Sequence, residues 1–265
     1  MNQPTNDPVS ALRAALDRER RAAGPAEEPG RLVHEWSSDR SESRVVFSAC
    51  PPDRLAETVL ARRDRARAEG HALEWKVYAH DDRPGLPTAL EAAGFTAEDA
   101  ETVLAVALGP AAKEPGAPVP LLPAESPACE IRSVRDEAGL ADLARISRAI
   151  GRRNVEAETR QLAARLADGD GSLSIHIAYV GGQPASCGRL QYGRTEGFAE
   201  LAGGRTVPEY RRRGLFTALV AARLHEAERH GCEYAFVDAL PTSEPILTRC
   251  GFIAVTETRP YVYEA

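Results

Sequence analysis

Lysine is almost missing from this 265-residue chain. Lys76 and Lys113 are the only two among 33 Lys and Arg, so nearly all positive charge sits on guanidinium groups. With 39 Asp and Glu the formal net charge is −6. Phosphate backbones are gripped by surplus cations, so a general nucleic-acid binder is not expected. Methionine occurs once, and the Arg- and Ala-rich usage suits a GC-rich bacterial genome. No run approaches the roughly 18 apolar residues that cross a bilayer, and the start, MNQPTNDPVS, lacks a basic-then-apolar signal pattern. Neither membrane association nor secretion is expected. Cys50, Cys129, Cys187, Cys232 and Cys250 are scattered without a C-x-x-C pair. That excludes a disulfide framework and a zinc cluster and points to a reducing cytoplasm. The six histidines form no H-E-x-x-H and no i, i+4 pair, so no metal site is expected.

What is present is ordinary globular material: 43% hydrophobic and 27% charged residues, enough for one large domain or two small ones. Residues 109–127, GPAAKEPGAPVPLLPAESP, carry six prolines and interrupt the periodic patterning. Proline fixes φ and removes a donor, so this stretch reads as an extended linker packed over the surface. It divides the chain into domains over 1–108 and 128–265.

In the second part, 136–150 and 154–167 space apolar residues by three and four, as amphipathic helices do. SLSIHIAYV, PASCGRLQY and FAELAGGRTV, separated by polar turns, read as three antiparallel strands. A helix follows from Arg212 to His230, with Leu215, Phe216, Leu219, Val220, Leu224 and Ala227 on one face and Gly231 as its stop. EYAFVDAL is a strand, SEPILTRC a short helix, and FIAVTETRPYVYEA closes with strands. The first part repeats this later order: a helix to Gly70, the strand LEWKVYAH, the helix LPTALEAA and closing strands from Gly94. The helix-ending glycines, 70 and 231, lie 161 residues apart, and the Gly-Phe pairs at 94 and 251 lie 157 apart. Such constancy indicates an internal duplication. Only the second copy has an arginine-glycine stretch before its long helix.

That stretch is TVPEYRRRGLFTALV, residues 206–220. A strand, a turn with glycine and then a helix expose first-turn amides that lack internal partners at the positive end of the helix dipole. This is an anion-binding arrangement, and three arginines add charged donors. A solvated basic turn is the plain alternative. No G-x-G-x-x-G opens a helix and no G-K-[ST] is present, which removes dinucleotide and P-loop readings.

V-P-E-Y-R-R-R-G-L-F resembles the acyl-CoA-binding motif of the GNAT N-acetyltransferase superfamily, Arg/Gln-x-x-Gly-x-Gly/Ala, with Arg211, Gly214 and Phe216 at its three positions. The strand before it, the strand EYAFVDAL after it and the helix ending in Gly-Phe match in order. The resemblance covers about 129–265 and implies an α+β fold with a mixed sheet, in two GNAT-like domains of which the first is degenerate. It also implies acetyl-CoA as co-substrate. Its pyrophosphate would lie on the amides of Arg212, Arg213, Gly214, Leu215 and Phe216, its pantetheine arm along the main chain of Thr206 and Val207, and Ser243 against it. Two positions depart from the family. Phe216 stands for a small residue, and Leu247 stands where many members carry a tyrosine general acid; Leu240 replaces the asparagine seven residues earlier.

Acetyl transfer to an amine needs a base for the ammonium proton. Glu200, four residues from Glu196 in what reads as one strand, is the expected base, with Asp238 at the end of the next strand as rival. Tyr210, Tyr261 and Tyr263 are alternative proton donors. His176 reads as a half-buried structural residue, and Cys187 has no paired histidine for nucleophilic work. The expected acceptor is the primary amine of a small molecule, attacked directly in a ternary complex, with no nucleic-acid or membrane partner. A non-catalytic acyl-CoA sensor or protein-interaction module is the competing class, and a nucleic-acid patch on Arg211–Arg213 a third.

Overall fold

The computed structural model describes residues 7–22, 26–27, 32–37, 42–122 and 128–265. Residues 1–6, read above for a signal pattern, and 123–127, the end of the expected linker, lie outside the described residues. In chain order the first elements are α1 (Pro8–Ala22), β1 (Ala26–Glu27), β2 (Leu32–Trp36), β3 (Glu42–Ser48), α2 (Leu55–Glu69), β4 (Ala72–Tyr78), α3 (Leu86–Ala92), β5 (Thr96–Ala97) and β6 (Glu101–Ala107). Next come β7 (Glu130–Ser133), α4 (Glu137–Ala149), α5 (Val155–Asp168), β8 (Leu173–Val180), β9 (Gln183–Tyr192) and β10 (Phe198–Thr206). The chain ends with α6 (Leu215–Arg229), β11 (Tyr234–Ala239), α7 (Glu244–Arg249) and β12 (Ile253–Tyr263). The mixed α and β architecture follows the expected order, including the repeat of α2–β4–α3 as α6–β11–α7. Five elements escaped the sequence reading: α1, β1, β2 and β3 before residue 52, and β7. β7 is only four residues long, whereas α1 carried a readable start, Asp7 before Pro8, whose carboxylate accepts from Val9 N at 3.2 Å and Ser10 Oγ at 3.0 Å.

Two compact units form, and they cross the expected division at 109–127. Unit 1 takes the chain up to Val103 together with Asp238–Thr242 and Ala254–Ala265; unit 2 takes Leu104–Val237 and Ser243–Ile253. The physical reason is the last strand. β12 pairs antiparallel with β4, Thr258 to Tyr263 opposite Tyr78 to Leu73, so its hydrogen bonds belong to unit 1.

In unit 1, β3 and β4 run parallel, with Val45 opposite Trp75, and Tyr261 lies opposite Trp75 on its other side. These three side chains share one face because neighbours across a ladder point the same way. They form the core with Val59 of α2 and Leu86 and Leu90 of α3. α1 is held through Arg20, whose buried guanidinium donates to Val46 O at 2.9 Å, pairs with Asp17 at 2.8 Å and with Asp81, and lies over Tyr78. Asp17, His80 and Asp81 are the one grouping of metal-ligand side chains among the described residues, and Arg20 already bonds all three.

In unit 2, β7, β8, β9 and β10 are antiparallel neighbours and β11 joins β10 in parallel. α4 and α5 cover one face over Ile175, Ile177 and Tyr179; α6 covers the other with Leu219, Val220, Leu224 and Ala227 buried. Each buried leucine or isoleucine contributes about 1.5–3 kcal/mol. The Asp136 side chain caps α4 by accepting from Gly139 N at 2.9 Å, which is worth about 1 kcal/mol. Gly231, at φ 79°, ends α6 as Gly70, at φ 69°, ends α2, in the left-handed conformation that costs glycine little. Beyond β6, the proline-rich segment has a place of its own. Ala107 N donates to Pro118 O and Leu121 N to Cys250 O, each at 2.8 Å, and a Cβ at Gly251 would stand 2.1 Å from Val119 O.

Candidate active site

β10 and β11 are parallel partners only where Phe198–Glu200 face Tyr234–Phe236. β10 then shifts register against β9 between Ala202 and Arg205 and continues to Thr206 beside β9 alone. The two parallel strands therefore part, and the parting lies just before the arginine-glycine loop. Arg223 of α6 supports the irregularity from beneath. Its guanidinium, only 2% exposed, donates to Arg189 O at 3.0 Å and Ala202 O at 3.5 Å, and its Nε to Leu219 O. Burial pushes its pKa down to about 10. Gly188 makes room, since a Cβ there would stand 2.7 Å from the guanidinium carbon.

The loop itself runs through a tight turn at Pro208–Tyr210, and Arg211 Nε folds back onto Thr206 O at 3.2 Å. Arg212 has φ 61° and Gly214 φ 77°, on either side of Arg213. Chain that alternates in this way turns successive N–H groups to one side, as in anion-binding nests. α6 starts at Leu215, three residues later than the sequence suggested, because Gly214 is its left-handed cap. The first helical turn supplies amides without intrahelical acceptors. Arg211, Arg212, Arg213 and Gly214 are exposed. An anion that is carried by water can therefore reach this corner.

Leu215 is buried, while Phe216 is half-buried and packs on the strand irregularity: a Cβ at Gly204 would meet its ring at 2.6 Å. The bulky residue at a small-residue position is thus matched by a glycine on the adjacent strand. Thr206 Oγ1 is 2.8 Å from Ser186 Oγ. Val207 N already donates to Ala185 O at 3.0 Å, and its carbonyl accepts from Tyr210 N at 2.9 Å. The Val207 N–H expected beside the pantetheine arm is therefore engaged by β9, and the Thr206 carbonyl already accepts from Arg211 Nε. Ser243 precedes α7, where its carbonyl accepts from Ile246 and Leu247. α7 and α6 meet through Thr217, whose side chain bonds the Cys250 thiol.

Glu200 is half-buried on β10 opposite Gln191. Glu196 does not share its strand; it lies in the turn before β10, because Gly197 at φ 80° reverses the chain there. Asp238 falls in unit 1, and its carboxylate is held by Lys76, with Glu101 3.8 Å from the same ammonium. Burial opposes the charge on Lys76, yet Asp238 keeps it protonated well above the usual lysine range. Asp238 thus answers a buried cation, a structural task. Tyr261 and Tyr263 belong to the core of unit 1, and Tyr210 packs on the core beneath α4 and α5. Burial pushes the Cys187 thiol up to about 11, far from a nucleophile. His176 is buried against Glu226 at 2.8 Å. Leu247 is 1% exposed, so α7 contributes no proton donor at that position.

Sequence reasoning missed the charged cluster on the α4–α5 face beside Glu200. Arg205 bonds both oxygens of Glu158, one at 2.8 Å, and the hydroxyl of buried Ser147 at 2.5 Å. Arg189 Nη1 shares Glu158 Oε1 at 3.0 Å. Burial raises the carboxyl of Glu158, but Arg205, Arg189 and Arg152 outweigh it and hold the group below the usual range. The one available signal was a pair of arginines, Arg189 and Arg205, inside strands whose neighbours are apolar.

Unit 2 thus combines an open strand pair, an exposed amide corner and an acidic residue on the adjoining strand. Residues 141–252 match the model of the Acetyltransferase (GNAT) family, and this stretch of the chain is a GNAT domain. Solved structures with the same fold span the whole chain. A GCN5-related N-acetyltransferase from Kribbella flavida is 18% identical, with a TM-score of 0.64 over 97% of this chain and 94% of that one. A tandem GNAT protein from the clavulanic acid biosynthesis pathway is 15% identical, with a TM-score of 0.60 over 98% and 96%. A GCN5-related N-acetyltransferase from Sphaerobacter thermophilus is 16% identical, with a TM-score of 0.55 over 88% and 76%. These likenesses establish a fold of two GNAT-like domains. No curated protein matches the sequence. Among the described residues no helix is long and apolar enough to cross a membrane.

Proposed function

We propose that the protein is an acetyl-CoA-dependent N-acetyltransferase acting on the primary amine of a small molecule. The observation that carries this reading is the corner at Arg211–Phe216. There a left-handed Arg212 and Gly214 present exposed amides at the start of α6, beside a strand pair that has parted. The pyrophosphate of the co-substrate would accept from those amides and the arginine side chains. The pantetheine arm would run into the opening past Thr206. The family match supports the transferase class, and five cysteines without a disulfide support a reducing, cytoplasmic setting.

In the proposed step the amine nitrogen attacks the thioester carbonyl carbon, a C–N bond forms, the C–S bond breaks, and the proton that the attacking nitrogen then carries in excess is lost to water. Glu200, directly or through water, takes the ammonium proton first. With Leu247 buried in place of a proton donor, the sulfur departs as thiolate and is protonated by solvent. A thiol pKa of about 8.5 makes this a modest cost near neutral pH. Orientation in a ternary complex supplies the larger part of the acceleration.

The same absence at Leu247 favours a second reading, a non-catalytic acyl-CoA binder. Two measurements separate them. A thermal titration with CoA and acetyl-CoA, with NADH as control, tests the corner. At 100 times Kd a specific ligand adds about 2.7 kcal/mol, several degrees of Tm in a chain of this size. Thiol release with an amine panel then tests turnover. A CoA shift with no amine-dependent thiol release means a sensor; no shift up to millimolar CoA overturns both readings.

A further inference from the structure

The surface beside Glu200 carries more positive charge than it answers. Glu158 is bidentate to Arg205, and Arg189 shares only one of its oxygens, through Nη1. Arg189 Nε is buried with no acceptor among the described residues. Gly203, at φ 59°, lies against this part of the guanidinium; a Cβ there would stand 2.9 Å from Nε and 3.1 Å from Nη2. Arg152 adds to the field at Glu158, and Glu200 to that at Arg189. Two buried guanidiniums, of Arg189 and Arg205, thus share the single carboxylate of Glu158. A further arginine, Arg165, binds Gln191 at 2.7 Å, directly opposite Glu200. An uncompensated guanidinium with a desolvated donor is costly, and an anion that accepts from it recovers that cost.

The register fixes what such an anion would be attached to. Arg189 is opposite Ala202 on β10, and Glu200 is two residues along the same strand and on the same face. Diagonal neighbours of this kind have Cβ atoms roughly 7–8 Å apart. Long side chains reaching inward from both bring an acid and a guanidinium within the span of one small molecule. Resting on the N-acetyltransferase reading above, we propose that the acceptor is an amine that also bears a carboxylate, an amino acid or close derivative. Its ammonium faces Glu200 and its carboxylate pairs with the Arg189 guanidinium on the Nη2 side, Nη1 being held by Glu158. A guanidinium can bond Glu158 and a second carboxylate through different nitrogens held in one plane, which a lysine ammonium does not do with fixed geometry. An acidic overall charge, which at the level of composition favours a cationic acceptor, is overruled by the local excess of guanidinium.

The test uses the full-length protein and a panel of L-amino acids, each compared with its carboxamide and with the decarboxylated amine. At least one amino acid is expected to exceed both neutralised analogues by tenfold or more in kcat/KM. Arg189→Gln is expected to abolish that preference and raise the acceptor KM, leaving the acetyl-CoA KM within about twofold. Arg189→Lys, which keeps the charge and packing stem, is expected to retain a folded protein with a weakened preference. Equal use of carboxamides by the wild type, or an unchanged preference in Arg189→Gln, overturns the inference. So does a CoA-induced Tm shift with turnover of neutral amines alone, in which case the N-acetyltransferase reading survives. Absence of any CoA shift removes that reading and this inference with it.

Discussion

The contact between Gly204 and Phe216 offers the sharpest check on how this corner is built. Placing alanine at 204 sets a Cβ 2.6 Å from the Phe216 ring, about an ångström inside ordinary van der Waals contact. Over-packing of this size costs typically 1–3 kcal/mol. Phe216 is half-buried and its ring edge can swing outward, so the low end, about 1 kcal/mol, is expected. Phe216→Ala removes the obstacle. In that background Gly204→Ala should be neutral or stabilising, because alanine in a strand loses less backbone entropy than glycine by about 0.5–1 kcal/mol. A double-mutant cycle read by urea unfolding should therefore give a coupling of about 1.5–2 kcal/mol, well above the few tenths seen for independent sites. For a chain of this size the single substitution should lower Tm by about 2–4 °C. The same four proteins titrated with acetyl-CoA separate packing from ligand contact. If Phe216 only covers the strand, Phe216→Ala leaves CoA affinity within a few-fold. An equal cost for Gly204→Ala in both backgrounds would refute the packing argument, since the ring would then not be what the new methyl meets.

Arg223→Met keeps the stem but removes the donors to Arg189 O and Ala202 O; it should cost about 1–3 kcal/mol in urea unfolding and weaken CoA binding as the strand irregularity relaxes. Glu158→Gln leaves Arg189 and Arg205 buried without their carboxylate and should cost on the order of 3 kcal/mol at neutral pH. Because the folded pKa of Glu158 is depressed, its contribution is complete above the unfolded value of about 4.3 and is lost as pH falls through the lower folded one. The wild-type and Glu158→Gln unfolding midpoints should therefore converge below about pH 4, and a gap that stayed constant to lower pH would contradict the assignment. In the loop, Arg212→Gly should stabilise by about 1 kcal/mol by relieving a left-handed arginine, whereas Gly214→Ala should destabilise by a similar amount and lower CoA affinity, both read by thermal unfolding with and without CoA.

Much of the fold and of the anion corner was legible because both are local. Gly231 and Gly70 end helices through their own φ, and the arginine-glycine loop is written in consecutive residues, so periodicity and turn chemistry were enough. What could not be read depended on pairing between distant residues. β12 reads as the closing strand of the second copy, but it pairs with β4, and the sequence holds no local mark of that choice. Glu196 and Glu200 are four apart and looked like strand neighbours, until Gly197 placed the turn between them. Asp238 ended a strand as a free acid would, and only the fold brought Lys76 to it. A lysine kept in a chain that otherwise uses arginine was the one hint available.

The cluster around Glu158 shows why the acceptor side was harder to see than the co-substrate side. A phosphate is held by backbone amides, and the loop conformation that presents them is set by a few adjacent residues, so a short motif suffices. An acceptor is held by side chains from separate elements. In the acceptor site proposed above these are Arg189 of β9, Arg205 and Glu200 of β10 and Glu158 of α5, spread over more than 40 positions. No spacing rule links them. The signal they leave is a cost: arginines at inward positions of strands, and Arg223 on the inward face of α6, each losing hydration that an ordinary core residue would not have had. Arg205 recovers it through two bonds to Glu158 and one to Ser147. Arg223 recovers it through main-chain carbonyls. Arg189 alone of the three keeps a buried donor without an acceptor among the described residues, and it lies with Arg205 on the Glu200 face of the sheet. Two buried guanidiniums are satisfied within the fold and the third is incomplete, which is the imbalance that the proposed carboxylate-bearing acceptor would offset.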